Sequence, residues 1–92
     1  MSLLTTSQRD ELRAAILGEL VVAHTVAFPA ETIARRVIRS RMVDAEFTLA
    51  DVQTEIEALH RAGLAQRITG GLATTPHFQA SSAGVAAHAG GA

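Results

Sequence analysis

The stretch from Thr48 to Arg67, TLADVQTEIEALHRAGLAQR, decides how this chain is read. Thr48 with Asp51 on the first turn is a helix-start pattern, and Gly63 stands where a helix end takes a left-handed residue. Between them Leu49, Val52, Ile56 and Leu59 recur at helical spacing and predict a buried stripe. Ala50, Asp51, Thr54, Glu55, Glu57, Ala58 and Arg61 are left outward or flanking. After Gly63 the pattern changes. Leu64 to Ile68 and Leu72 to Phe78 have strand character, and Thr69-Gly70-Gly71 between them is a glycine-containing hairpin signal. Pro76 lacks an amide donor, so the second strand is expected at an edge or bent there.

Upstream, Met42 to Phe47 forms a turn longer than the tightest helix-turn-helix connection. A second helix is predicted over Ala30 to Arg41. Ile33, Ala34, Val37 and Ile38 fall on one side of it, and Arg35, Arg36 and Arg39 share the opposite face. Thr25 to Phe28 has the β-branched and aromatic character of a short strand ended by Pro29. A first helix is predicted from Ser7 to Ala23, with Ser7 and Asp10 as its capping pair and Leu12, Ile16, Leu20 and Ala23 as its stripe, which Leu17 and Val21 widen. Downstream, Ser81 or Ser82 caps a short Ala-rich helix to about His88. Residues 7–88 are therefore expected to form one domain, with 1–6 a disordered or cloning-derived start and 89–92 a flexible tail.

Composition bounds the function. A 92-residue chain that is 48% apolar with three aromatic residues must pack a compact core from Leu, Ile, Val and Ala, which leaves little room for a large cleft. There is no cysteine, hence no disulfide or thiolate chemistry. No apolar run approaches a membrane span and no signal-peptide pattern opens the chain, so a cytoplasmic location without membrane contact is expected. No phosphate-binding glycine loop, nucleophile elbow or zinc-ligand spacing is present, and His24, His60, His77 and His88 lie in different predicted elements. The expectation is a non-enzyme with no catalytic residues, metal or cofactor. His60 falls near the apolar stripe and reads as a packing residue.

The predicted fold class is thus mainly α with a small antiparallel β-hairpin (α+β). The segment Glu57-Ala58-Leu59-His60-Arg61-Ala62-Gly63-Leu64-Ala65-Gln66-Arg67 resembles the third helix and first wing strand of winged helix-turn-helix proteins, among them small bacterial regulators of the MarR, PadR and ArsR kinds. Phe78-Gln79-Ala80-Ser81-Ser82-Ala83-Gly84 is similar to the end of their wing. The resemblance covers about residues 8–84, identifies no single subfamily, and implies a three-helix core plus a wing.

For DNA-binding members the resemblance implies a third helix in the major groove. Ala50, Gln53, Thr54 and Glu57 become candidate base contacts: Gln for an adenine edge, Thr for a thymine methyl, Glu for a cytosine amine. Arg35, Arg36, Arg39, Arg61 and Arg67 become candidate phosphate contacts, and Thr69, Gly70 and Gly71 the wing tip. The implied partner is double-stranded DNA bound by a homodimer acting in transcription regulation, with dimer surfaces on the first helix and around Val85. The charges pull the other way. The chain has a formal net charge of −1, with eight arginines and no lysine, and the third helix carries Asp51, Glu55 and Glu57 against Arg61. Arginine usage without lysine is also what codon bias in a GC-rich genome produces, and the arginine face of the second helix, like Gln53 and Thr54, is equally an ordinary solvated surface. The alternative is a winged-helix protein-protein interaction module that docks a partner through an acidic third helix or an apolar edge.

Overall fold

The computed structural model describes residues 4–70 and 73–90, and within them the chain is α+β. Its elements in order are α1 (Thr6–Val22), β1 (Phe28–Pro29), α2 (Ala30–Ser40), α3 (Leu49–Arg61), β2 (Ala65–Gly70), β3 (Ala73–Ala80) and α4 (Ser82–Gly90). Four helices and a small antiparallel sheet in this order are compatible with a winged helix. None of these helices is long and apolar enough to cross a membrane.

α1 is capped by Thr5, two residues before the Ser7 cap that the sequence pattern predicts. The Thr5 hydroxyl accepts from the Gln8 amide at 3.1 Å and the Gln8 side chain accepts from the Thr5 amide at 3.0 Å. Both Thr5/Gln8 and Ser7/Asp10 have capping-box spacing. The earlier start brings Leu4 against the core, whereas Asp10 turns outward to Arg13 at 3.8 Å.

α2 follows Pro29 directly and ends at Arg41, whose φ of 56° is left-handed. Its buried stripe is Ile33 and Val37. Ile38, expected on that side, is 62% exposed. Five residues on from Ile33 is about 140° around the helix, too far to share its interior.

α3 is capped as predicted, the Thr48 hydroxyl accepting from the Asp51 amide at 3.2 Å and Asp51 accepting from the Thr48 amide at 2.9 Å. Val52, Ile56 and Leu59 are buried, but Leu49 on the first turn is exposed. At the far end Gly63, at φ 78°, closes a Schellman motif: its amide reaches the His60 carbonyl at 3.0 Å and the Leu64 amide reaches the Leu59 carbonyl at 2.9 Å. That reversal drops the chain into β2.

The sheet order is β1-β3-β2, so of the two outcomes Pro76 allowed, an edge position or a bend, β3 does not take the edge: it is central, with its pairing to β2 irregular opposite Pro76. The proline is tolerated because pairing lapses around it on both sides. β1 reaches only Phe78 and His77, and the register with β2 shifts between Ile68 and Gly70, the segment facing Pro76. The predicted turn residue Gly71 lies outside the described residues.

α4 starts from Ser81, whose hydroxyl donates to the Gly63 carbonyl at 2.6 Å and accepts from the Gly84 amide at 3.0 Å. One side chain thus ties the end of α3 to the start of α4. α4 runs through Gly90 and so takes in Ala89 and Gly90, beyond the expected end at His88. α1 lies against α2, α3, α4 and β3, around a core of Leu12, Ile16, Leu20, Ile33, Val37, Val52, Ile56, Leu59 and Phe78 with smaller alanines.

Candidate nucleic-acid interface

Once Val52, Ile56 and Leu59 face the core, geometry sorts the rest of α3 into two flanks. On one flank Asp51 and Glu55 turn toward α1; on the other Gln53 and Glu57 turn toward the sheet. Ala50, Thr54 and Arg61 lie outward and exposed, with Gln53 also exposed.

The first flank corrects an expectation. Glu55, read as outward or flanking, has only 2% of its surface exposed. A buried carboxylate needs compensation, and two arginines of α1 supply it. Arg9 Nη1 donates to Oε2 at 3.0 Å, while Arg13 donates to Oε1 from Nε at 2.9 Å and places Nη2 at the same distance. Asp51 is also buried and engaged with the cap at Thr48. Neither Arg9 nor Arg13 stood among the sequence candidates. The available signal was their i, i+4 spacing flanking Leu12 and Ile16, which places two cations beside a buried stripe.

On the second flank Arg67 Nη2 donates to Glu57 Oε1 at 2.8 Å. The guanidinium carbon also stands 5.8 Å from the ring centre of Phe78, its cross-strand partner. Gln53, Glu57, Arg67, Thr75, Pro76 and Phe78, with Ala30, line a groove of about 200 Å³ between α3 and the sheet. The candidate base contacts Gln53 and Glu57 and the candidate phosphate contact Arg67 therefore meet at one place. Thr54 spends its hydroxyl on the Ala50 carbonyl at 3.0 Å, leaving its methyl to the exterior face.

The arginines of α2 do not share one solvent face. Arg36 lies inward, its guanidinium carbon 4.8 Å from the Phe28 ring centre and its Nε 3.3 Å from Glu19 of α1. That N–H is not aligned for a hydrogen bond, so the pair is Coulombic, and Nε is the one buried side-chain polar atom without a hydrogen bond among the described residues. Arg36 and Arg39 share a depression with Glu19 and Ser40, apart from the α3 groove. Arg35 is exposed, 3.8 Å from Glu31. Arg39, Arg41 and Arg61 have no ion pair among the described residues. At the predicted wing tip Thr69 is exposed and Gly70 ends β2.

The electrostatic consequence is a change of sign in the balance of α3. Counted from sequence, its surface is acidic. In the fold Asp51 is held in the cap, Glu55 is neutralised by Arg9 and Arg13, and Glu57 is matched by Arg67. The exposed side keeps Ala50, Gln53, Thr54 and the cation Arg61. Compared with protein-family models, with curated proteins and with solved structures, the chain matches none.

Proposed function

We propose that the chain is a winged-helix DNA-binding protein, a transcriptional regulator that lays α3 in the major groove. The observation that carries this reading is the burial of Asp51 in the cap and of Glu55 against Arg9 and Arg13. This takes two of the three α3 carboxylates off the face that would meet a polyanion and leaves there only Glu57, paired with Arg67. What remains exposed suits a groove: Gln53 offers a bidentate amide for adenine, the Thr54 methyl suits a thymine, and Ala50 permits close approach. Arg61, Arg35 and Arg39 supply phosphate contacts, and Arg36 contributes less because it is engaged with Phe28 and Glu19. A single recognition helix buries too little surface for tight specific binding, so the protein acts as a dimer on two half-sites. The uncharged α4, with Ala83, Ala86 and Ala87 exposed, and the adjoining side of α1 form the surface for it.

A mobility-shift titration against random duplex at several salt concentrations tests this. With about three phosphates contacted per protomer, log K falls against log salt with a slope of about −3 per protomer. One observation favours a second reading, a protein-interaction module: the 62% exposed Ile38 adjoins an open groove lined by Val43, Phe47 and Arg41. No shift at micromolar protein in low salt would leave that module as the better account.

A further inference from the structure

Arg67 stands among the phosphate candidates by its charge, yet its surroundings assign it another task. Its Nη2 lies 2.8 Å from Glu57 Oε1, and its guanidinium is laid over Phe78, the residue directly across the ladder. A cation already engaged by a carboxylate on one side and an aromatic face on the other gives up both contacts if it moves to a phosphate. Glu57 is held in return: Oε1 is occupied by Arg67, while Oε2 accepts no hydrogen bond from any described residue. The exposed Gln53 borders the same groove.

We infer that Arg67 is a positioning residue that holds and neutralises Glu57, and that Glu57 so held selects cytosine. This rests on the DNA-binding reading of α3. A carboxylate has no proton to give, so guanine N7 and O6 and thymine O4, all acceptors, repel it in the major groove. Adenine offers its amine only beside the N7 acceptor. Cytosine alone presents a donor without an adjacent acceptor, and Oε2 is the atom available to take it. Without Arg67 the same carboxylate would carry an uncompensated negative charge toward the phosphates.

Selection from a random duplex pool, followed by titration of the selected site, decides the matter with five proteins: the parent, Glu57→Gln, Arg67→Met, Arg67→Lys and the double variant Glu57→Gln/Arg67→Met. Circular-dichroism melts confirm that each is folded. The parent is expected to enrich cytosine at one position roughly 5- to 150-fold over the other bases, and Glu57→Gln to lose that enrichment. Arg67→Met should weaken binding by roughly fivefold or more when Glu57 is present and by less than about twofold in the Glu57→Gln background. Arg67→Lys, which keeps the charge but loses the planar guanidinium over Phe78, should fall between the parent and Arg67→Met. Equal losses from Arg67→Met in both backgrounds, each with the salt slope reduced by about one, would make Arg67 a phosphate ligand and overturn the inference while leaving DNA binding intact. Failure of the parent to retain any duplex overturns the DNA-binding reading, and this inference with it.

Discussion

Glu55 and Glu57 sit symmetrically in the sequence, one on each side of Ile56, and about 100° from it in opposite directions around α3. Helical periodicity cannot tell them apart. The tie is broken by neighbours: Arg9 and Arg13 of α1 stand on the Glu55 side, and Arg67 of β2 on the Glu57 side. The two pairs differ in energy as well. The Glu57 pair is open to water on both partners and contributes about 0–1 kcal/mol. The Glu55 carboxylate is buried and depends on its arginines, which are themselves 30% and 42% exposed. Removing the two sides of this cluster should therefore cost unequal amounts. Arg9→Ala with Arg13→Ala strands a buried charge and is expected to lower unfolding free energy by about 3–5 kcal/mol. Glu55→Leu frees two arginines that can turn to water and should cost roughly 1 kcal/mol or less. Urea unfolding of the two variants measures the difference; equal costs would mean that Glu55 is not desolvated.

Among the elements, Gly18 of α1 and Gly84 of α4 make opposite predictions. In α4, Gly84 passes so close to the end of α3 that a Cβ there would run into the Leu64 carbonyl oxygen, a backbone atom that cannot step aside. Gly84→Ala should destabilise by about 1–3 kcal/mol and loosen α4 from Ser81. In α1, a Cβ at Gly18 would meet only His88 Cε1 at 3.5 Å, an ordinary contact. Gly18→Ala should stabilise by about 0.5–1 kcal/mol through helix propensity. Denaturant midpoints of the two variants, moving in opposite directions, check both. The elements were largely legible beforehand because capping and amphipathic spacing act within one or two turns: α3 begins at the Thr48/Asp51 box and ends at Gly63 as its residues imply. Where two local signals competed, as with Thr5/Gln8 and Ser7/Asp10, the earlier one won by bringing Leu4 to the core. Pro76 left two outcomes open, an edge strand or a bend, and the edge was not required because a neighbour as short as β1 leaves a gap beside the proline even in a central strand.

For the molecule as a whole, the distribution of surface is the informative feature. Charged side chains gather on α1, α2 and α3, while α4 carries no charged group other than the titratable His88. Ala87 of α4 faces a depression of about 460 Å³ that it shares with Ala14 and Leu17 of α1 and with Met42, itself 71% exposed. The proposed dimer uses this side, where small residues let helices approach closely. Sedimentation equilibrium is expected to find a dimer at tens of micromolar, and Ala87→Glu, which sets like charges against each other across a twofold axis, to shift it to monomer by roughly tenfold or more in dissociation constant. The same variant should weaken binding to a two-half-site duplex; an unchanged sedimentation profile would move the dimer surface elsewhere.

Sequence alone established the order of helices and strands, the α+β class and most of the core, because those properties rest on interactions between residues a few positions apart. Only the tertiary structure decided which carboxylates of α3 are hidden, that Ile38 faces solvent, that β3 is central, and that Arg36 and Arg67 already have partners. The hydrogen bonds that bury Glu55 join residues 46 and 42 positions apart. Charge counted along a chain is blind to such pairs, since a carboxylate's effect on a partner depends on its neighbours in space and its access to water.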